Sequence, residues 1–223
     1  MRTKSAILLW ISCLGWLSVS SAHAGMEPDL WLPTQCTVSP FVAPIDKKPA
    51  VVDNTSNHLV RYSESMFAAT GTHILIMGRL YDKDCTPIPS ANITLWQADP
   101  EGNMRPLPSG THDFTYSGMT ETNNMGQFSF FTLIPGARHH LPPAINIAVQ
   151  HPDFPHYQSQ FFFNVPLDSD TTKAWDKLSS DQQQQLLLQT GSPLEKLEGS
   201  EAADSFYYLQ IVLPQTQMFK YYG

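Results

Sequence analysis

From residue 72 to residue 136 the chain is a succession of short β-type runs, each stopped within a few residues by a turn-forming cluster. Such punctuation leaves little room for any architecture but packed short strands. In 73–81, Ile74, Ile76 and Gly78 alternate with Leu75, Met77 and Arg79, and the run breaks at Asp82-Lys83-Asp84 and Pro87-Ile88-Pro89. Residues 91–97 read as its partner strand, with Ile93 and Leu95 on one face and Asn92, Thr94 and Trp96 on the other. A long polar connection, 98–125, follows. Then 126–133 repeats the device: Phe128 and Phe130 point one way, Phe131 the other, and Pro135-Gly136 ends the run.

The rest of the chain continues the pattern with one exception. Residues 144–150 and 159–165 read as strands joined by the loop HPDFPHYQ, and 206–213 as a closing strand. Between them, Ser179-Ser180-Asp181-Gln182 has the form of a capping box opening a short helix over 182–189, with Gly191 and Pro193 to stop it. Six or more short strands with frequent prolines predict an all-β fold, an antiparallel β-sandwich with a short C-terminal helical insertion. The sandwich domain is expected over 70–223. Residues 25–69, rich in Pro, Asp, Asn and Ser, are expected to form an extended arm lying over it, anchored by Trp31, Leu32, Phe41 and Val42.

Residues 1–24 read as an address. Arg2 and Lys4 precede an apolar run from Ala6 to Leu17, and Ala22-His23-Ala24 supplies a small-x-small cleavage pattern, the form of a secretory signal peptide. The apolar run is shorter than the ~20 residues a membrane span needs, so no span is expected after cleavage. Export would place the protein in the periplasm or outside the cell. Losing Arg2 and Lys4 takes the formal charge from −7 to −9, and no basic patch remains to bind nucleic acid. Cys36 and Cys85 are the two cysteines left after processing, which in an oxidising compartment predicts one disulfide between them, the alternative being two free thiols.

The wording of the central stretch is more specific than its periodicity. GRLYDKDCTPIPSANITLWQADPEG resembles the signature of the intradiol ring-cleavage dioxygenases, the family of protocatechuate 3,4-dioxygenase and catechol 1,2-dioxygenase. The resemblance extends through Asp113-Phe114, Thr122, GQFSFFTLIPG, PPAINIAV, SQFFF at 159–163 and FYYLQIVLP at 206–214, nearly all of 70–214. It implies the same β-sandwich and a ferric ion held by two tyrosinates and two histidines, with open positions for a catechol. Hard phenolate oxygens suit Fe3+, and imidazoles complete the shell.

The four ligand positions implied by the resemblance are spelled differently here. Two residues beyond Gly102, where the first tyrosine is expected, stands Met104, a soft thioether. Two residues beyond Pro135-Gly136 stands Arg138, a guanidinium that stays protonated and cannot ligate. The two histidines alternate on the following strand and fall, depending on register, on Ala144 and Asn146 or on Ile145 and Ile147. A cation facing iron is repelled as well: unit charges 4 Å apart cost about 4 kcal/mol at an effective dielectric near 20, and a trivalent ion roughly three times that. Gln160 stands where the family often has a pocket glutamine.

Other residues offer donors for a rebuilt metal site. His112, His139, His140, His151 and His156 lie in loops, and Tyr116 and Tyr157 carry phenols, but the spacing is not that of a metal motif. Methionines 66, 77, 104, 119 and 125 suit packing as well as they suit a soft metal. There is no nucleophile elbow, phosphate loop or catalytic cysteine. The residues therefore imply no cofactor and no catalytic group. They point to an exported, non-catalytic binding or accessory module whose pocket residues Met104, Arg138, Asn146 and Gln160 take a small anionic or aromatic ligand. The alternative is an iron-dependent intradiol dioxygenase acting on catechol-type aromatics. A third reading is a non-catalytic subunit partnered by a homologous or other protein subunit.

Overall fold

The structure, a computed structural model, describes residues 36–44, 55–61, 66–104, 113–138, 141–164, 176, 178–191 and 203–214. The expected signal segment, Trp31, Leu32, His112, His139, His140 and Pro193 lie outside them. The elements, in order, are β1 (His73–Tyr81), β2 (Asn92–Gln97), β3 (Ser117–Glu121), β4 (Gln127–Leu133), β5 (Ala144–Gln150), β6 (Tyr157–Phe162), α1 (Ser180–Leu186), β7 (Gln189–Gly191) and β8 (Ser205–Val212). They form two four-stranded sheets, β4-β1-β8-β7 and β3-β2-β5-β6, packed as a sandwich.

The period-two pattern sorts the residues as the sequence predicts. Ile74, Ile76 and Leu80 of β1 and Phe130 of β4 face inward and are fully buried, as are Ile93 and Leu95 of β2 and Ile145 and Ile147 of β5. Gly78 lies on this inner face because Phe128 lies over it: a Cβ there would come within 2.1 Å of the ring. The expected pairing of the first two runs is corrected. β1 pairs with β4 and β8, and β2 with β3 and β5, so the proline-rich turn at 87–89 carries the chain across to the other sheet. Nor is the sandwich antiparallel throughout, because β8 runs parallel to β1. The connection 98–125 also contains a strand, β3, whose small and polar residues, Ser117 and Gly118 among them, give no apolar alternation to read.

Helix α1 has both halves of its capping box: Ser179 accepts from the Gln182 backbone N–H, and the Gln182 side chain accepts from that of Ser179. It ends earlier than the glycine suggested. Leu187 and Leu188 are drawn into extended pairing with Phe162 at the end of β6, with Leu188 N donating to the Phe162 carbonyl at 2.9 Å, and Gly191 sits in β7. Tertiary hydrogen bonds thus stop the helix before any local breaker is reached.

The arm closes the sandwich on both sides. Ser39 N donates to Val212 O and Val212 N to Ser39 Oγ, each at 2.9 Å, while Val42 N donates to Ser159 Oγ at 3.0 Å, so 39–42 bridges β8 and β6. Residues 56–59 do the same at the opposite edges, exchanging backbone bonds with Phe131 of β4 and accepting from Met119 of β3. Covered edges are also protected from pairing with other chains. The anchors differ in part from those expected. Phe41 is 64% exposed, whereas Leu59 and Val60 are buried in the core and Val42 packs partly against it. Cys36 and Cys85 form a disulfide that ties this arm to the turn after β1.

The Tyr157 hydroxyl donates to the Pro40 carbonyl at 3.0 Å, a bond the arm shares with Ser159. Burial pushes the phenol up from 10.0 to about 12. A raised folded value means that the contribution of this group is complete below pH 10 and is lost as the pH climbs toward the folded value. Tyr157→Phe should cost about 1 kcal/mol at neutral pH, the net worth of one hydrogen bond. The gap between parent and variant should narrow in urea unfolding above pH 10; a gap constant with pH would contradict the assignment.

Candidate functional site

The outer face of the β3-β2-β5-β6 sheet carries a buried polar cluster where polar side chains would ordinarily be solvated. Trp96, Ser117, Asn146, Gln160 and Phe162 all lie there, and each is at most 5% exposed. Register brings the two amides together, since Asn146 is directly opposite Gln160. Asn146 Nδ2 donates to the Trp96 carbonyl at 3.1 Å, and Gln160 Nε2 donates to Asn146 Oδ1 at 2.9 Å. Gln160 Oε1 is left buried without a partner among the described residues. Such an acceptor costs about 1–3 kcal/mol unless something donates to it.

The register sets the direction of this strand's side chains: Ile145 and Ile147 point into the core with 0% exposure, and Ala144 and Asn146 point outward.

Met104 and Arg138 are on loops at the end of the sandwich, held by residues the sequence reading passed over. Gln97, facing inward at the end of β2, accepts from Thr132 Oγ1 at 3.0 Å and donates to Leu133 O at 2.8 Å, clamping β2 to β4 across the core. Two residues on, Asp99 caps its own loop. One carboxylate oxygen accepts from Asn103 N at 2.8 Å and the other from the Tyr116 hydroxyl at 3.0 Å. The Asp99 carbonyl receives both Gly102 N and Gly136 N. Gly136 comes so close that a Cβ would sit 2.6 Å from both Gly102 N and Pro100 O, backbone atoms that cannot rotate aside. The loop bearing Met104 is thereby fastened to the loop bearing Arg138, and Arg138 Nη1 donates to the Gly102 carbonyl. The signal for Asp99 was present in Ala-Asp-Pro-Glu-Gly, an Asx-turn composition.

Of the four residues expected to bind a ligand, the structure joins Asn146 to Gln160 on the sheet and places Arg138 against the Met104 loop. As a ferric site the donor set does not fit. Met104 offers a thioether and Arg138 a guanidinium that supplies only N–H groups, and neither Ala144 and Asn146 nor Ile145 and Ile147 includes an imidazole.

The phenols weighed as substitutes are engaged elsewhere: Tyr116 bonds to Asp99, and Tyr157 to Pro40. His151 Nδ1 accepts from Asp153 N, and His156 is exposed. Met77 and Met119 belong to opposite sheets, and Met66 is 88% exposed. Among the described residues no group of three His, Cys, Asp or Glu side chains is placed to hold a metal ion.

Comparison with known proteins gives the following. A dioxygenase family model matches residues 47–155. A protein named "Putative dioxygenase" from Rickettsia bellii is 30% identical over 153 residues, which span 63% of this chain and 71% of that protein. A relative of the same description from Rickettsia typhi is 32% identical over 114 residues; that match takes in 46% of this chain but only 55% of the relative's length. Among solved structures, the dioxygenase domain of a dioxygenase and carbohydrate-binding protein fusion from Streptomyces sp. SirexAA-E superposes with a TM-score of 0.58 at 19% identity, over 80% of this chain and 99% of that one. The intradiol ring-cleavage dioxygenase from Tetranychus urticae gives 0.54 at 18% identity, over 80% and 95%. These structural likenesses are of fold.

Proposed function

Because the chain belongs to the dioxygenase family of the intradiol ring-cleavage type, yet carries Met104 and Arg138 at the positions implied for the tyrosinates and no histidine at either candidate pair, Ala144 and Asn146 or Ile145 and Ile147, we propose that it is a non-catalytic member. It acts as a binding or accessory module and takes a small polar or anionic aromatic ligand in place of the metal and catechol. The observation that carries this reading is the Gln160–Asn146 amide pair, buried on the sheet with Gln160 Oε1 unpartnered. A ligand hydroxyl or N–H would satisfy that oxygen, and a ligand carboxylate would suit the donor fork of Arg138. Export before folding forms part of the proposal, supported by the signal-like first 24 residues and by the Cys36–Cys85 disulfide, a bond that persists in oxidising compartments.

Metal analysis of the purified protein after incubation with iron, together with its visible spectrum, tests the proposal. The expected result is substoichiometric iron and no tyrosinate-to-iron absorption band. Stoichiometric ferric iron with such a band would overturn it in favour of a ring-cleaving enzyme. Calorimetry with aromatic carboxylates adds a second arm: Arg138→Ala should weaken binding by ~1.5–3 kcal/mol, the range for a hydrogen bond to a charged group.

A further inference from the structure

A second concavity, sharing no lining residue with this site, lies where the arm, α1 and the β7-β8 edge meet. It encloses about 290 Å³. Its polar lining is neutral among the described residues: Gln184 and Gln185 from α1, Gln189 from β7 and Gln210 from β8, together with Thr37 and Ser39 on the arm. Leu187 and aliphatic residues of β8 contribute apolar surface to the lining. Among the described residues no lysine, arginine, aspartate, glutamate or histidine lines it. None of the four glutamine side chains is held by a hydrogen bond among the described residues. The wall formed by the arm is fixed, since Ser39 is doubly bonded to Val212.

The chemistry of the lining selects its ligand. Each amide offers two N–H donors and a carbonyl acceptor with no charge. A cluster of four therefore matches groups that donate and accept at once and are themselves neutral. Neighbouring hydroxyls on a ring have that property, and the C–H face of such a ring suits the apolar part of the lining. A carboxylate or phosphate would find no cation among the described residues of the lining. An extended peptide added to the sheet edge would find only a three-residue strand, β7, to pair with. The volume falls at the low end of small-molecule sites, enough for one ring. We propose that the glutamine-lined cavity between the arm, α1 and β7-β8 is a binding site for a neutral polyhydroxylated ring, a monosaccharide unit or cyclic polyol. This site is separate from the Gln160–Asn146 cluster and does not rest on the function proposed for it.

The test is titration of the full chain with glucose, galactose, mannose, xylose and inositol, followed by NMR shifts and calorimetry. Matched oligosaccharides, glucuronate and a short glycine-alanine peptide are run in parallel. Binding of at least one neutral ring is expected with a dissociation constant of about 0.1–10 mM, the range open to a few hydrogen bonds on a small ligand. Tighter binding of the oligosaccharide than of its monomer would identify a chain end as the source of the ring, and equal binding a free sugar. Gln185→Leu and Gln189→Leu change exposed side chains and should leave the melting temperature unaltered while weakening the sugar at least tenfold. The proposal is overturned if no neutral ring binds, if binding is indifferent to both substitutions, or if glucuronate or the peptide binds in preference.

Discussion

Removing the Cys36–Cys85 disulfide, by reduction or as the Cys36→Ser/Cys85→Ser double variant, should destabilise the fold by about 4 kcal/mol, the chain-entropy value for a loop of this length. The two cysteines are 49 residues apart, and the loop they close includes the 56–59 segment that seals the β4 and β3 edges. Without the bond, the unfolded chain regains the entropy of that loop, and the arm must dock through its own contacts. For a domain of this size the melting temperature should fall by roughly 8–16 °C. Thermal unfolding with and without reductant measures it. A midpoint that does not move would show that the arm docks equally well untethered and that the bond is incidental to stability.

Asp99→Ala is expected to cost about 3 kcal/mol, because it removes the acceptor of two donors rather than deleting one contact. The part-buried Asn103 N and the buried Tyr116 hydroxyl both lose this acceptor, and losing such a bond costs about 1–3 kcal/mol where the donor is kept from water. Tyr116 also has a left-handed backbone, with φ of 56°, which the Asp99 bond helps to hold in place. Asp99→Asn keeps one carbonyl acceptor and should lose about 1 kcal/mol. Urea unfolding gives the energies, and near-ultraviolet circular dichroism reports whether the Tyr116 environment is disturbed. If Asp99→Ala costs no more than Asp99→Asn, the carboxylate is not what fastens the Met104 loop.

How far the site could be read in advance differs from residue to residue. Met104 and Arg138 are picked out by spacing from Gly102 and Pro135-Gly136, and the structure brings their two loops together through Arg138 Nη1 and the Gly102 carbonyl. The histidine positions stayed open between two registers. Both candidate pairs sit on one apolar run, and it took the facing strands to turn Ile145 and Ile147 inward. Gln97 and Asp99 were read as motif letters; their roles depend on Thr132 and Tyr116, distant in sequence. The glutamine-rich stretch was recognised as a helix, but the cavity it lines also needs Gln210 from β8 and the arm.

What the sequence determined by itself is whatever a few neighbouring residues can specify. The alternation of Ile74, Ile76 and Gly78 makes a strand with one buried face, and Ser179 and Gln182 cap a helix start. What only the tertiary structure decided is which surfaces meet. Period two gives a strand its faces without giving it a partner, so the placing of β1 and β2 in opposite sheets could not be read from either strand. The parallel entry of β8 and the early end of α1 at Phe162 are likewise choices among competing hydrogen-bond partners far apart in the chain. Those choices are made by burial of the combined core, a property of the packed sheets that no single segment possesses.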